Sequence, residues 1–400
     1  MVSLLNRSAA IVATALLVSC GSDNTDDAPT SAPTGFAVTP GDTSVVVTWN
    51  EEPGLTYWIF SAAAPSITRD NYSQYASARI TQQARSPQLI VGYANGTTYS
   101  FLINATRSGS AAGPATASIA VVPRLAGSVW VAGTPLGVDL NAIGFGAGRY
   151  VTVGAGGALF TRGSGLLDST WTAGTSGVTA ALNGIVTGGT FVVVGDAGTI
   201  LTSGDAVTWT AQASGTTARL NHVMFGQLVY VAVGDNGTIL RSTDGATWTA
   251  VGSGTTSNLY AVTLLGSTML AVGANGAMLS SDDGGLTWAA VNSGTTSTLR
   301  AVAAGTSRFV VVGDGGTILT STDLATWTAA TSPTTANLFK VTLGNQLVAV
   351  GSGGTALVSQ DGLNWVATNT GTSEDLRGLV RGVTLDYITV GTGGVVLVSR

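Results

Sequence analysis

The sequence predicts an all-β protein in which a β-sandwich is followed by a larger domain built from a repeated four-stranded unit. Glycine is very frequent, with 55 among 400 residues, whereas charged residues make up only 9%. Short apolar runs alternate with turns of Gly, Ser, Thr and Asn, which is typical of many short strands and not of helices. In addition, a block of about forty residues recurs over the last two thirds of the chain.

The N-terminus has the pattern of a secretory signal. Arg7 precedes an apolar run over residues 9–18 that is too short to span a bilayer. The single cysteine of the chain, Cys20, follows in the sequence Leu17-Val18-Ser19-Cys20. This tetrapeptide resembles the bacterial lipobox, and the resemblance implies a lipoprotein signal peptide over 1–19 and lipidation of Cys20. An ordinary secretory signal with a chance cysteine is the alternative.

Residues 20–34 are predicted to be a flexible tether, because they are polar and lack apolar periodicity. Residues 33–123 show strand patterns without the glycines of the repeat. One strand ends at Trp49, and an Asn-Gly-Thr turn at 95–97 precedes Tyr99. These features resemble a fibronectin type III domain. The resemblance implies an immunoglobulin-like β-sandwich, with Trp49 and Tyr99 in its core, that acts as a spacer.

From residue 128 onward three markers recur with a period of about forty residues. A leucine opens each unit, an apolar run then ends in Val-Gly, and a tryptophan follows. The leucines are Leu140, Leu182, Leu220, Leu259, Leu299, Leu338 and Leu376. The glycines are Gly154, Gly195, Gly234, Gly273, Gly313, Gly351 and Gly391. The tryptophans are Trp130, Trp171, Trp209, Trp248, Trp288, Trp327 and Trp365. Four strands per unit, apolar on both faces, predict a seven-bladed β-propeller over 127–400.

The phase of the repeat predicts how the propeller closes. Trp130 comes before the first leucine marker, whereas the last unit has its Leu376 but reaches Arg400 without a tryptophan. We therefore expect residues 127–133 to supply the outer strand of the last blade. This N-terminal strand closure removes the open sheet edges that favour aggregation.

Each unit contains two predicted turns. The first is a hairpin with Asp235-Asn236 as its two-residue turn, because Asx-Gly between β-branched runs is a strong hairpin signal. The second has the form Ser-x-Asp before the tryptophan. In Ser281-x-Asp283-x-Gly285-x-Thr287-Trp288 it resembles the Asp-box of bacterial sialidase-like (BNR) propellers. The whole repeat is also similar to the propellers of photosystem II assembly factors.

The Asp-box aspartates are predicted to be structural. They recur at one turn of successive blades, whereas a catalytic group is needed once, and an Asp side chain can hold such a turn by accepting backbone hydrogen bonds. These residues are Asp205, Asp244, Asp283, Asp323 and Asp361. A calcium site at Asp282-Asp283 is the alternative. The periodic tryptophans are predicted to pack between blades.

The sequence offers no recognisable catalytic constellation. Sialidase-type chemistry needs a glutamate paired with a tyrosine nucleophile, and Glu374 is the one glutamate of the repeat region. His222 is the only histidine, which excludes His-rich metal sites, and we expect it to be structural. The glycines lie in hairpins and do not open a helix, so no phosphate loop is predicted. We predict no catalytic residue, metal or cofactor.

Comparing the repeats with one another indicates where a ligand could bind. Positions that the fold needs stay constant between blades, but the residue after the opening leucine varies. These seven positions, the Leu-adjacent ring, are Asn141, Asn183, Asn221, Tyr260, Arg300, Phe339 and Arg377. They are expected at one mouth of the central channel, together with the hairpin turns. We predict that they bind the ligand, and that the two arginines and two aromatic residues carry most of the affinity. Solvated rim residues are the alternative.

Together these patterns predict a cell-envelope lipoprotein that acts as a non-enzymatic binding or assembly module through one propeller face. The expected partner is an envelope or extracellular protein or a glycan. The net charge of −5 gives no reason to expect nucleic acid. We expect a monomer that contacts the membrane through its lipid anchor only. The anchor is expected in the outer membrane, with the protein facing the periplasm or exposed on the cell surface. A glycan-active hydrolase or lyase is the alternative function.

Overall fold

The computed structural model describes residues 28–107, 111–165, 170–305, 308–382 and 386–399, and these form short strands joined by turns. They divide into two compact units. One unit comprises the described residues of Met1–Ala37, Thr48–Ser86 and Tyr99–Ala120, and the other those of Val38–Val47, Pro87–Thr98 and Val121–Arg400. The predicted signal peptide, Cys20 and residues 20–27 of the tether lie outside the described residues. Within the described ranges, no helix has the length and apolar character needed to cross a membrane.

The N-terminal part contains two sheets. Their strands are β1 (Ala37–Gly41), β2 (Ser44–Thr48), β3 (Thr56–Ala62), β4 (Arg79–Ala84), β5 (Gln88–Val91), β6 (Tyr99–Thr106) and β7 (Ile119–Val121), with a 3-10 turn at Tyr72–Gln74. One sheet has the order β1-β2-β5 and the other β4-β3-β6-β7. Trp49 and Tyr99 are buried, as predicted, and the rings of Trp49 and Tyr57 lie 5.3 Å apart. We did not predict β4, because its sequence, Arg-Ile-Thr-Gln-Gln-Ala, is polar and mostly exposed.

Each repeat forms one four-stranded antiparallel sheet, and the two strand markers fall at the predicted places. In each repeat the leucine begins the first strand and the Val-Gly glycine ends the second. The strands are β8 (Val131–Ala132), β9 (Leu140–Gly146), β10 (Arg149–Gly154), β11 (Leu159–Gly163), β12 (Thr172–Ala173), β13 (Leu182–Thr187), β14 (Phe191–Gly195), β15 (Ile200–Ser203), β16 (Thr210–Gln212), β17 (Leu220–Gly226), β18 (Val229–Gly234), β19 (Ile239–Ser242), β20 (Thr249–Val251), β21 (Leu259–Leu265), β22 (Thr268–Gly273), β23 (Met278–Ser281), β24 (Ala289–Ala290), β25 (Leu299–Ala304), β26 (Phe309–Gly313), β27 (Ile318–Ser321), β28 (Thr328–Ala329), β29 (Leu338–Leu343), β30 (Leu347–Gly351), β31 (Ala356–Ser359), β32 (Val366–Thr368), β33 (Leu376–Arg381), β34 (Tyr387–Gly391) and β35 (Val396–Ser399).

The first strands of the sheets lie side by side around a common channel. In order they are β9, β13, β17, β21, β25, β29 and β33, and β33 lies beside β9 again. Within each sheet the remaining strands follow outward in chain order, except that β8 is the outer strand beside β35. This arrangement is a β-propeller.

The predicted closure by the N-terminal strand is confirmed. Val131 pairs with Val398 and Ala132 with Leu397 in antiparallel register. Trp130 is buried in the core of this last sheet, and the Gly127 N–H donates a 2.7 Å hydrogen bond to the Ser399 hydroxyl. The outer edge of the last sheet is therefore covered by the segment that precedes the first repeat.

The core lies between adjacent sheets, because both faces of each sheet are covered. Val231 and Val233 of β18 pack against Met269 and Ala271 of β22 in the next sheet, and Trp288 borders this cluster. The same arrangement recurs around the propeller, with the tryptophans packed at the edges of the clusters. The tryptophans therefore pack between blades, as predicted.

The hairpin turn is shifted by one residue from its predicted position. The Thr238 N–H donates to the Asp235 carbonyl over 3.1 Å, so the two central residues are Asn236 and Gly237 and not Asp235-Asn236. Their φ values are +55° and +67°, as a type I′ turn requires. The aspartate comes before the turn and is left to accept other hydrogen bonds. Equivalent turns lie at Ala155–Gly157, Asp196–Gly198, Asp235–Gly237, Ala274–Gly276, Asp314–Gly316, Ser352–Gly354 and Thr392–Gly394.

The Asp-box carboxylates accept hydrogen bonds from the backbone of their own turns, as predicted. The Asp244 carboxylate accepts from the N–H groups of Ala246 (2.8 Å) and Thr247 (2.7 Å) and from the Ser242 hydroxyl (2.9 Å). These bonds stabilise the charged form and hold the pKa of Asp244 far below its usual range. Asp205, Asp283, Asp323 and Asp361 accept equivalent backbone bonds. All five aspartates therefore hold turns.

Candidate binding site at the channel mouth

All seven residues of the Leu-adjacent ring line one cavity of about 410 Å³. Five further polar residues line the same cavity: Arg219, His222, Asn337, Lys340 and Asp375. The cavity lies where the first strands of the sheets begin, at one end of the central channel. The hairpin turns between second and third strands are at this end, whereas the Asp-box turns, one strand later, are at the other.

A β-bulge in each first strand explains why this position varies. In β17, Leu220 is opposite Gly234 and His222 is opposite Val233, so Asn221 has no partner in the neighbouring strand. The same shift occurs in the other first strands. A bulged residue is freed from the sheet ladder, and its side chain is redirected. The fold therefore places one side chain per repeat at the cavity without constraining its type.

The three asparagines of the ring form its amide half: Asn141, Asn183 and Asn221. Each donates from Nδ2 to the carbonyl of the leucine that opens the next repeat, over 3.1, 3.1 and 2.9 Å respectively. Asn221 Nδ2 also lies 2.9 Å from Asp235 Oδ1. We did not predict these bonds, which join successive blades. The amide half thus has a structural role, and its nitrogen donors are already in use.

The other four residues form the arginine half of the ring: Tyr260, Arg300, Phe339 and Arg377. The Arg300 guanidinium lies between two aromatic rings, 5.8 Å from the centroid of Tyr260 and 5.4 Å from that of Phe339. It also forms a two-pronged ion pair with Asp314, with Nη2 3.0 Å from Oδ2. Tyr260 and Phe339 occupy the ring position at which an asparagine joins neighbouring blades in other repeats. Their rings flank the planar guanidinium of Arg300 at the cavity.

The remaining arginines at the mouth are paired as well. Arg377 Nη1 lies 3.4 Å from Asp139 Oδ2 and 3.2 Å from Asn141 Oδ1. Arg219 Nε lies 3.2 Å from Asp196 Oδ1. The sequence predicts that Arg300 and Arg377 contribute much of the ligand affinity. Both are already balanced by acids of the chain, so a ligand carboxylate would compete with those acids.

Lys340 and His222 meet inside the cavity, and this pair was missed in the sequence. Lys340 Nζ lies 2.8 Å from His222 Nε2 across the channel. The Val262 N–H donates to His222 Nδ1 over 3.4 Å. Burial, together with the lysine charge, holds the pKa of His222 well below its usual value, and burial lowers the pKa of Lys340 to about 8. We predicted a structural role for His222; it is hydrogen-bonded, but it also forms part of the cavity wall.

A signal for this pair was present in the repeats. Both residues occupy the second position after the opening leucine, where the other repeats have Ala142, Gly184, Ala261, Ala301 and Gly378. At this channel-lining position, five repeats have a small residue and two have a large titratable one. The fold does not require the two large residues. Comparison at this position, and not only at the Leu-adjacent ring, would have identified both residues.

The described residues contain no group of three or more His, Cys, Asp and Glu side chains placed to hold a metal ion. At the calcium alternative, the Asp283 carboxylate accepts bonds from the N–H groups of Leu286 and Thr287 and from the Ser281 hydroxyl. The neighbouring Asp282 accepts from the Thr268 hydroxyl. Both aspartates have hydrogen-bond donors from the chain itself.

Comparison with protein families matches residues 216–299 to the DUF6242 beta propeller domain. Comparison with curated proteins gives no match. Similar solved structures include YCF48 bound to D1 peptide, with 18% identity, 68% of this chain and 94% of that chain covered, and a TM-score of 0.57. YCF48 from Cyanidioschyzon merolae has 17% identity, coverage of 68% and 99%, and a TM-score of 0.56.

A third similar structure is a catalytically inactive virginiamycin B lyase from Staphylococcus aureus with quinupristin. It has 14% identity to this chain, a TM-score of 0.61, and coverage of 68% of this chain and 99% of that chain. Identities this low establish the β-propeller fold alone. Propellers serve unrelated functions, so function has to be argued from the site.

Proposed function

We propose that the protein is a cell-envelope lipoprotein that binds a partner, a protein segment or a glycan, at the mouth of a seven-bladed propeller. The observation that carries this proposal is the convergence of all seven variable ring positions on one cavity of about 410 Å³. A rigid scaffold that presents variable side chains in a concave site is the usual arrangement of a binding protein. The similar YCF48 structure, which contains a D1 peptide, supports a protein segment as partner.

The arginine half supplies the recognition chemistry. Arg300 between Tyr260 and Phe339 offers a planar cation and two aromatic faces in one place, and Arg and Tyr dominate interface hot spots. A carboxylate or a peptide carbonyl of the partner would bond the outer edge of the guanidinium. A sugar or an apolar side chain would stack on the rings.

The remaining parts of the chain fit this role. The order β1-β2-β5 and β4-β3-β6-β7 supports the proposal of a fibronectin type III-like sandwich over 33–123, acting as a spacer. The lipobox-like sequence at Cys20 supports a lipid anchor, and Gly21 in place of Asp directly after it supports outer-membrane sorting. Labelling cells with a palmitate analogue should then mark the wild type but not Cys20→Ala, and an unlabelled wild type would exclude the anchor.

Binding is tested with the purified protein on envelope extracts and a glycan array. The Arg300→Ala/Arg377→Ala variant should lose the captured partner at an unchanged melting temperature, because partly exposed ion pairs contribute little to stability. Arg149→Ala is the matched control, since Arg149 is exposed and begins β10 at the other end of its sheet. Undiminished binding by the double variant, or equal loss in the control, would place the site elsewhere.

The competing proposal is a glycan-active hydrolase or lyase. Glycoside hydrolysis uses two carboxyl groups about 5–10 Å apart across the scissile bond. Among the described residues that line the cavity, Asp375 is the one carboxylate, and it accepts the Gly353 N–H over 3.0 Å. This lining favours binding over hydrolysis. Turnover of a sugar captured on the array, abolished by Asp375→Asn, would reverse that preference.

A further inference from the structure

The cavity contains the only lysine and the only histidine of the chain, in contact with each other. Neither residue is needed to build the propeller, because five of the seven repeats place alanine or glycine at the same position. Neither is assigned a role in the binding function proposed above. An amine in contact with an imidazole, in the wall of a concave site, is an arrangement that can make the amine a nucleophile.

The hydrogen bonds indicate which tautomer of His222 faces Lys340. The Val262 N–H donates to His222 Nδ1, so in the neutral imidazole the proton is on Nε2. When Lys340 is a neutral amine, this Nε2–H group donates to the lone pair of its Nζ. Lys340 forms no ion pair with a carboxylate of the described residues, so none of these carboxylates holds the lysine in its charged form.

We propose that Lys340 is a carbonyl-reactive amine that captures a small aldehyde as an imine inside the cavity. The reacting group is part of the wall, next to a free volume of about 410 Å³, which is large enough for a small aldehyde. Lysine amines act as nucleophiles toward carbonyls when burial keeps them uncharged. This activity goes beyond partner binding and does not depend on it.

The reaction needs no additional reactant. The Nζ lone pair attacks the carbonyl carbon, a C–N bond forms, and the carbonyl electron pair moves to oxygen. One hydrogen of the amine passes to that oxygen and gives the carbinolamine. The second leaves with the hydroxyl group as water, and the C=N bond forms. When the aldehyde enters, the His222 Nε2–H is released from Nζ and can donate to the carbonyl oxygen as its charge develops.

The arginine half lies around the same cavity and would favour aldehydes that carry a negative charge or a polar chain. Arg300 and Arg377 are paired with Asp314 and Asp139, so their influence on the amine is moderated. His222 acts through Lys340 and is a positioning residue. The chemical step itself requires only the amine.

The test is reductive trapping of the full-length protein with propanal and sodium cyanoborohydride at pH 7. Peptide mapping then compares Lys340 with Nα-acetyl-lysine in the same tube. An amine with a pKa of about 8 has on the order of 100-fold more free base at pH 7 than ordinary lysine, so we expect labelling at least about tenfold faster. Peptide mapping separates Lys340 from the α-amino group.

A matched variant, Lys340→Arg/Arg149→Lys, provides a lysine on the exposed surface of the same protein. The lysine introduced at position 149 should react at the rate of Nα-acetyl-lysine. The proposal is wrong if Lys340 in the wild type stays unlabelled or reacts no faster than these two reference lysines. It is also wrong if all of the label is on the α-amino group. If the variant does not fold, the comparison of wild-type Lys340 with Nα-acetyl-lysine still shows whether Lys340 reacts faster than an ordinary lysine.

Discussion

The side-chain amide of Asn221 donates a 2.9 Å hydrogen bond to the carbonyl oxygen of Leu259, the residue that opens the next repeat. Asn183 makes the equivalent bond to Leu220, and Asn141 to Leu182. A position that varies between repeats therefore still joins three pairs of neighbouring blades. Where the asparagine is replaced by an arginine or an aromatic residue, the propeller gives up such a link and gains a side chain suited to recognition.

Asn221→Ala is expected to destabilise the protein. It removes the bonds to Leu259 and Asp235 and leaves the Leu259 carbonyl without its donor. One part-buried hydrogen bond is worth about 1 kcal/mol, so we expect a loss of about 1 to 2 kcal/mol in urea unfolding. Phe339→Ala, at the equivalent position in another repeat, is the control, because no such link exists there to lose. If both variants unfold at the same urea concentration, the loss of stability cannot be attributed to the hydrogen bond between blades, and the prediction is wrong.

The two central residues of the hairpin turn should respond differently to alanine. At Gly237 a Cβ atom would lie 2.0 Å from the Thr255 carbonyl oxygen, and φ is +67°. Gly237→Ala therefore needs backbone movement and should cost more than about 3 kcal/mol. At Asn236 the equivalent residue of an earlier repeat is Ala197, with φ +53°, so Asn236→Ala should cost about 1 kcal/mol or less. Thermal unfolding of both variants measures the difference, and similar melting temperatures would refute the steric argument.

The repeat period predicted the strands well because each marker has a single physical cause. Gly234 ends its strand where a Cβ atom would lie 2.2 Å from the Arg219 carbonyl oxygen, so only glycine fits there in any repeat. The turn was placed one residue early because Asp235-Asn236 and Asn236-Gly237 both look like Asx turns in the sequence. Only the hydrogen bond from Thr238 to Asp235 distinguishes them.

The candidate site was predicted in part. Variability identified the Leu-adjacent ring, and the β-bulge explains why those positions are free to vary. The pairing of Arg300 with Asp314 depends on how far a turn folds back over the bulge, which spacing does not reveal. Contact between Lys340 and His222 spans half the ring, so no local pattern could have indicated it.

Closure of the propeller by its first strand should be visible in stability. Trp130 is 8% exposed, packs in the core of the last sheet, and donates from Nε1 to the Thr368 hydroxyl over 3.2 Å. Trp130→Ala should cost about 3 to 5 kcal/mol, as for other core aromatic residues. A variant that begins at Leu140 should lose the cooperative unfolding of the last sheet. Hydrogen exchange of the backbone amides in Val396–Ser399 measures this loss. If that variant melts like the full chain, the closing strand contributes nothing.

The last prediction concerns pH. Burial lowers the pKa of Lys340 to about 8 in the folded protein, whereas the unfolded chain has the ordinary value near 10.4. Between these values the unfolded state binds more protons than the folded state, so the free energy of unfolding rises with pH from about 8 to about 10. The full effect is about 3 kcal/mol.

Two groups with shifted pKa values, His222 and Tyr387, leave this pH window undisturbed. His222, which contacts the amine, stays neutral between pH 8 and 10, because its pKa is held well below its usual value. Tyr387, whose pKa burial raises to about 12, lowers stability only above pH 10, because the folded state then keeps a proton that the unfolded state loses. Urea unfolding of the wild type and of Lys340→Met should show the variant more stable at pH 7, with the difference shrinking as pH rises to 10. A constant difference would mean that the lysine is charged in the folded protein and has an ordinary pKa, which would also remove the basis for its reaction with aldehydes.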